Sequence, residues 1–301
     1  MKKHRERIWI LAGLILVGIL FLLSSTDLIL KEEQREIYTV AVILPEDGDA
    51  LANYRRGIDQ AASMENVDIY YETVYKTKAG YDYEAAALQT AEDNPEAVIL
   101  LGADGGREGW LDRAGRNIPV VSLGGVQAYG QNSCRITADY RNQGELLAQS
   151  ILEDSQPGER VIIYSRKWNE EGVLECAEGL ESVLKIQGRE TLRVADPGMV
   201  QGDKAAVLDV EAMSGLLQQE DAAERQLYGV GYTSEAVDAM TEGRIQALVL
   251  ANEYDMGYLA VKSAVQMIDG KARRPVQKLE SIRVRPQDVY GQYEAVLFPI
   301  S

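Results

Sequence analysis

Short runs of aliphatic and β-branched residues alternate with longer amphipathic stretches along most of this chain. The runs predict strands, and the apolar spacing of three and four residues between them predicts helices. The strand candidates are Tyr38 to Leu44, Val67 to Val74, Ala97 to Gly102, Ile118 to Leu123, Arg160 to Ser165, Ala205 to Val210, Leu227 to Tyr232 and Ile245 to Ala251. The helix candidates include Leu51 to Met64, Tyr83 to Glu92, Gln143 to Leu152, Gly172 to Leu184 and Met256 to Ile268.

This alternation predicts the α/β fold class. Strands that are apolar throughout and are separated by helices are typical of parallel sheets covered on both faces. The part of the chain that carries the pattern, from Tyr38 onward, is longer than one doubly wound sheet requires. We therefore expect two doubly wound lobes of similar size.

The chain begins with a basic segment and an apolar run. Four basic residues within the first seven precede Ile8 to Leu23, a run of 16 residues without a charge. Because a membrane-spanning helix needs about 20 apolar residues, the run fits either a cleaved signal peptide or a short uncleaved anchor. We favour the anchor, since Ser24 to Thr26 is a poor cleavage site and no cysteine follows to accept a lipid. Both interpretations place the rest of the chain outside the cytoplasmic membrane.

Charge, histidine and cysteine content exclude several classes of function. The formal net charge of −16 argues against nucleic acid as a partner. The single histidine, His4, precedes the apolar run, so neither a histidine-dependent catalytic triad nor a His-ligated metal site can form beyond it. Cys134 and Cys176 could form one bridge, although two small buried side chains are the better interpretation. We expect no metal and no cofactor.

Five segments carry a family resemblance through their order and spacing. They are PEDGDALANYRRGIDQAA after the first strand, IPVVSLGG, ITADYRNQGELLAQSI, YGVGYTSEAVDAMTEGRIQALVLANEYDMGYLAVKSAV and the closing VLFPI. Together they resemble the sugar-binding, ribose/galactose-type branch of the type I periplasmic binding proteins. Members of this family are substrate-binding proteins of ABC transporters or of associated sensor systems. The resemblance implies two parallel-sheet lobes joined by a three-strand hinge, crossed near Thr137, Asn252 and Val284.

The resemblance also divides the chain into segments. Residues 1–30 form a basic stub with the anchor or signal segment, and residues 31–37 form a linker. Lobe 1 comprises residues 38–137 and 253–284, and lobe 2 comprises residues 138–252 and 285–301.

Ligands of open α/β sheets bind beyond the carboxyl ends of the strands, where polar side chains hold sugar hydroxyls and aromatic rings cover the apolar sugar face. By resemblance, the ligand-binding residues are Asp47, Ala50, Leu51, Gly124, Asp139, Arg166, Trp168, Asp209, Thr233 and Asn252. We favour Asn252 most. Helix N-capping is the alternative role for the aspartates, and packing on the lobe surface is the alternative for Trp168. Gly124 and Gly125 replace the acidic clamp usual in the family, which leaves the sugar identity open.

The resemblance implies a binding protein rather than an enzyme. It would close on a small polar, sugar-like ligand and present it to a transporter permease or a sensor histidine kinase. The alternative that the composition leaves open is a surface glycoside hydrolase that uses two carboxylates. A regulator of the lactose-repressor kind shares the two-lobed fold, but it needs a helix-turn-helix where this chain has its apolar run.

Overall fold

The structure is a computed structural model that describes residues 2–25, 37–46, 51–78, 80–102, 118–124, 132–200, 204–219, 226–271, 274–291 and 293–297. The chain divides into two compact units, Met1–Ile37 and Tyr38–Ser301. In the first unit, Lys2–Ser25 form helix α1. Within the described ranges, the structure contains no helix that is both long enough and apolar enough to cross a membrane.

The second unit alternates strands and helices along the chain. Its strands are β1 Tyr38–Pro45, β2 Val67–Val74, β3 Lys76–Thr77, β4 Gly80–Tyr81, β5 Ala97–Leu101, β6 Val120–Leu123, β7 Ser133–Ala138, β8 Arg160–Tyr164, β9 Glu190–Val194, β10 Lys204–Val207, β11 Gln226–Val230, β12 Ile245–Leu250, β13 Val276–Leu279 and β14 Ile282–Val284. Its α-helices are α2 Ala52–Glu65, α3 Tyr83–Glu92, α4 Tyr140–Asp154, α5 Glu171–Ile186, α6 Val210–Leu217, α7 Ser234–Thr241, α8 Glu253–Ile268 and α9 Glu294–Leu297.

Two six-stranded sheets form the centres of two lobes. The first has the strand order β13-β7-β6-β5-β1-β2, and all its neighbouring strands are parallel. The second has the order β14-β12-β11-β10-β8-β9 and is parallel except for β14, which pairs antiparallel with β12. The predicted α/β class with parallel sheets is confirmed.

The chain passes between the sheets three times. It leaves the first sheet after Ala138, returns after Leu250 and leaves again after Leu279. We expected the third passage near Val284, with that residue in lobe 1. This boundary was wrong, because Val284 is paired with Leu248 in the second sheet.

The central strands are buried on both faces, as continuous apolar runs require. In β1, Val40, Val42 and Leu44 pack into one core cluster while Ala41 and Ile43 pack into another, and all five are fully buried. The two cysteines are buried as free thiols, Cys134 in the core of the first lobe and Cys176 in that of the second.

In each lobe, two helices pack so closely that a glycine of one helix touches the backbone of the other. A Cβ atom on Gly57 of α2 would overlap the backbone oxygen of Tyr254 in α8, and one on Gly144 of α4 would overlap that of Cys176 in α5. These positions admit no side chain, because the obstacle is backbone rather than a flexible side-chain end.

We expect Gly57→Ala to destabilise the protein by about 1–3 kcal/mol, since the two helices must move apart to accept the methyl group. Gly215→Ala is the matched control: Gly215 lies in α6, is exposed and has open space around its missing Cβ. There the substitution should be neutral or stabilise by up to about 1 kcal/mol. Urea denaturation of both variants measures the effects, and equal stabilities would contradict the packing argument.

Candidate functional site

A cavity of about 400 Å³ lies between the two lobes. Part of its lining consists of residues that directly follow strands of both sheets, namely Gly124, Leu208, Asp209, Gly231, Tyr232 and Ala251. Another part comes from the first turns of α2, α4, α5 and α8. The cavity therefore occupies the position beyond the carboxyl ends of parallel strands where α/β proteins bind ligands, and its volume suits a small molecule.

Four of the predicted ligand-binding residues are helix N-caps. The side chain of Asp139 accepts the backbone N–H of Asn142, and that of Thr233 accepts the backbone N–H of Ala236. Asp209 and Asn252 accept the backbone N–H groups of Ala212 and Asp255 in the same way. Of these four, only Asp209 also lines the cavity.

Asn252, the residue we favoured most, caps α8 and is not among the residues that line the cavity. Its Oδ1 accepts the Asp255 backbone N–H at 3.3 Å, and its Nδ2 donates to the Asp255 carboxylate at 2.6 Å. Its neighbours Ala251 and Glu253 line the cavity instead. The predicted segment therefore borders the cavity, but its lining residues are the two neighbours of Asn252 in the chain.

Two further predicted residues lie apart from the cavity lining. Leu51 is buried in the core of the first lobe, and Arg166 is exposed. Gly124 does line the cavity, with a positive φ of 77° that suits glycine. Asp47, Ala50 and Gly125 lie outside the described residues.

Trp168 packs against the second lobe rather than into the cavity. Its indole Nε1 donates to the Val194 carbonyl at 2.8 Å, and the Arg193 guanidinium lies 5.3 Å from the ring centroid. Arg193 in turn forms an ion pair with Glu181 at 2.7 Å. With its polar atom and one ring face both engaged, this side chain takes the surface-packing role that we considered as the alternative to ligand stacking.

Asp209 is buried at the cavity wall with its carboxylate already satisfied. It accepts hydrogen bonds from Ser165 Oγ at 2.6 Å, from the Arg166 backbone N–H at 2.9 Å and from the Ala212 backbone N–H at 2.7 Å. These contacts fix the loop after β8 to the start of α6. Asp209 therefore shapes the cavity wall.

The cavity also contains residues that the sequence did not single out. Three tyrosines line it, Tyr54 from α2, Tyr140 from α4 and Tyr232 after β11. Each of the three lies within one to three residues of the end of a strand or the start of a helix. That position is the only feature of the sequence that could have indicated them as cavity residues. Two cations, Arg135 and Lys167, line it as well.

Both cations have partners. Lys167 Nζ lies 3.3 Å from Glu211 and 3.8 Å from Glu170, and these two carboxylates help to raise the pKa of Lys167 against the opposing effect of burial. Arg135 Nε donates to the Gly124 carbonyl at 3.4 Å. Among the described residues, no group of three or more His, Cys, Asp or Glu side chains could hold a metal ion.

Glu253 is the unusual ionisable group of the site. It is the first residue of α8 and lines the cavity, and its Oε2 is shielded from water without a hydrogen-bond partner among the described residues. Desolvation raises the pKa of Glu253 to about 7, although a hydrogen bond with Asn53 acts in the opposite direction. The same carboxylate contributes, after desolvation, to raising the pKa of Tyr54 well above its usual value and that of Tyr232 to about 12.

Asn53 connects the two lobes beside this group. From α2 in the first lobe, its Nδ2 donates at 2.8 Å both to the Tyr232 hydroxyl and to the Val296 carbonyl of the second lobe. The Asn53 side chain is buried, so these contacts are protected from solvent. A second connection, between Lys278 and Glu175 at 2.9 Å, is partly exposed and contributes less.

Comparison with solved structures identifies the fold. A glucose-galactose binding protein, GanP, from Geobacillus stearothermophilus is 18% identical with a TM-score of 0.64, over 85% of this chain and 99% of that one. An ABC transporter solute-binding protein from Agrobacterium vitis, bound with α-D-tagatopyranose, is 15% identical with a TM-score of 0.69, over 88% and 100%. This chain has the type I periplasmic binding fold. Many of its structural neighbours are substrate-binding proteins of sugar ABC transporters, as the resemblance predicted.

The same fold also occurs in regulators. A putative LacI transcriptional regulator from Bacteroides fragilis is 14% identical with a TM-score of 0.62, over 84% of this chain and 99% of that one. No family model matches this chain, and no curated protein matches it. The fold therefore does not distinguish a solute-binding protein from a regulator, and the residues of the cavity and of the N-terminal segment must do so.

We expect Glu253→Gln to change the pH dependence of stability. A carboxyl group whose pKa rises from 4.5 unfolded to about 7 folded favours the native state fully below about pH 4.5 and loses that contribution as pH rises through 7. The parent should therefore lose more free energy of unfolding than the variant between about pH 4.5 and 8, with a difference of about 3 kcal/mol. Denaturation curves across this range measure the difference, and parallel pH profiles would contradict it.

We expect Asn53→Ala to open the cleft. Each lost hydrogen bond is worth about 1 kcal/mol, so the open population should rise several-fold and the radius of gyration of the ligand-free protein should increase. Small-angle X-ray scattering tests this. Gln246→Ala is the control, because its hydrogen bond to the Gly243 carbonyl lies within the second lobe. Unchanged scattering of Asn53→Ala would show that this contact does not hold the lobes together.

Proposed function

We propose that this chain is an extracytoplasmic solute-binding protein that closes its two lobes on a small polar, sugar-like ligand. The observation that carries the proposal is the cavity of about 400 Å³ between lobes that three chain passages connect. A site lined from both lobes gains contacts when the lobes approach, so its ligand favours the closed state. Neighbours such as the glucose-galactose and tagatopyranose binding proteins support this class of ligand.

We further propose that the bound form is presented to a membrane partner, a transporter permease or a sensor kinase. The basic segment followed by the uncharged run from Ile8 to Leu23 supports export and, if it is uncleaved, tethering beside that partner. Mass spectrometry of the protein from its native membrane would show whether this segment is retained.

The hydrolase alternative gains no support from the cavity. A glycosidase of the usual kind needs two carboxyl groups that can act as acid and as base or nucleophile. Of the five carboxylates that line the cavity, Asp209 accepts three hydrogen bonds, and Glu170 and Glu211 are ion-paired with Lys167. Glu253 and the exposed Glu171 remain, and the described structure shows no contact that couples these two as acid and base. A DNA-binding role is disfavoured by the net charge of −16 and by the apolar run near the N-terminus.

Thermal-shift screening of the full-length protein against monosaccharides, amino sugars, oligosaccharides and nucleosides tests the proposal. A ligand present at 100 times its dissociation constant should stabilise the protein by about 2.7 kcal/mol. Ala251→Trp should abolish the shift, because the new ring would fill the cavity that Ala251 lines.

Trp168→Phe is the control, since the Trp168 ring lies outside the cavity lining. The unfolding midpoint of each variant without ligand shows that both are folded. Binding by folded Ala251→Trp at the parental affinity would place the ligand elsewhere, and absence of any shift across the screen would count against the function itself.

A further inference from the structure

The cavity contains a carboxylate with one oxygen that has no hydrogen-bond partner among the described residues. Glu253 Oε2 is shielded from solvent and receives no hydrogen bond from the described residues, whereas the carboxylate of Asp209 accepts three. An ionised oxygen in that position is costly unless something donates to it. A ligand that brings a donor or a positive charge would relieve this cost.

The charge of the wall favours a positive ligand over a negative one. Five acidic residues line the cavity against two basic ones, and Glu170 and Glu211 already neutralise Lys167. The helix N-termini at the cavity would attract anions, but acidic residues offset four of them: Asp139 and Asp209 cap α4 and α6, and Glu171 and Glu253 lie in the first turns of α5 and α8. The first turn of α2 contains no acidic residue.

Aromatic rings accompany this carboxylate. Tyr54, Tyr140 and Tyr232 line the same cavity as Glu253. After desolvation, the charge of Glu253 is the next cause that raises the pKa of the Tyr54 and Tyr232 hydroxyls. The faces of tyrosine rings attract cations, and a carboxylate beside such rings is a common arrangement for holding an ammonium group.

We propose that the ligand is a small polyhydroxylated molecule with a protonated amino group, which binds against Glu253 beside Tyr54 and Tyr232. This rests on the proposed function and narrows its ligand class to amino sugars and related amino polyols. No bond is made or broken. Where Glu253 is protonated in the empty protein, it releases that proton to solvent when the ammonium group docks.

Isothermal titration of the full-length protein with matched sugar sets tests the proposal at about pH 7. Each set contains an amino sugar, its neutral parent and its N-acetylated derivative, with glucosamine, galactosamine and mannosamine as the three amines. We expect at least one amine to bind about tenfold or more tightly than both neutral members, as a charge-assisted hydrogen bond implies. In Glu253→Gln the members of that set should bind within about twofold of one another.

Two variants make the result specific to this carboxylate. Glu190→Gln removes the same charge from an exposed position in β9, apart from the cavity lining, and should keep the preference. Glu253→Asp keeps the charge on a shorter side chain and should restore part of the preference. Circular dichroism shows whether Glu253→Gln is folded. If it is not, the reduced preference of Glu253→Asp for the amine tests the proposal instead.

The outcomes separate this inference from the function on which it rests. Neutral sugars that bind as tightly as the amines, or a preference that survives in Glu253→Gln, would overturn the amine assignment and leave the binding protein intact. If no member of any set binds, and the wider screen gives no ligand either, the proposed function fails together with the inference.

Discussion

Parallel pairing of buried strands is the constraint on which the rest of this structure depends. A strand such as β1, buried on both faces, must be covered by helices on each side of its sheet, and the following strand must begin again at the opposite edge. All loops that leave the carboxyl ends therefore meet at one edge of each sheet. Because residues at these edges of both sheets line the cavity, its position is a consequence of the topology, and the side chains decide only its chemistry.

The same constraint explains why predicted site residues became helix caps. A residue that ends a strand and begins a helix lies at the edge of the cleft, yet it also precedes N–H groups that need an acceptor. Asp139, Thr233 and Asn252 satisfy those groups and are lost to the cavity, while Asp209 caps its helix and lines the wall. The residues next to them, Ala138, Tyr140, Tyr232, Ala251 and Glu253, line the cavity instead.

Burial determines which parts of the fold the sequence revealed. Most of the central strands were predicted to within a few residues because their apolar runs are continuous. The central strand β7, Ser133–Ala138, was missed although it is buried, because its sequence SCRITA mixes polar and apolar residues. The edge strands β9 and β13 were missed, since each has only one neighbour and remains largely exposed and polar. The third passage between lobes was misplaced for a related reason: β14 has three residues, too few to show a periodic pattern.

By itself the sequence determined the α/β class, the order of the central strands and helices, and the segments that end at the cleft, because hydrophobic periodicity reports which faces must be buried. Only the tertiary structure decided which side chain in each segment enters the cavity. Asn252 and Glu253 are adjacent and both polar, yet the first bonds to its own helix while the second has a shielded oxygen that no described residue contacts by a hydrogen bond. That difference arises from residues distant in the chain: Asn53 and Tyr54, which the packing of α2 on α8 brings to Glu253 within the first lobe, and Tyr232, which the second lobe adds.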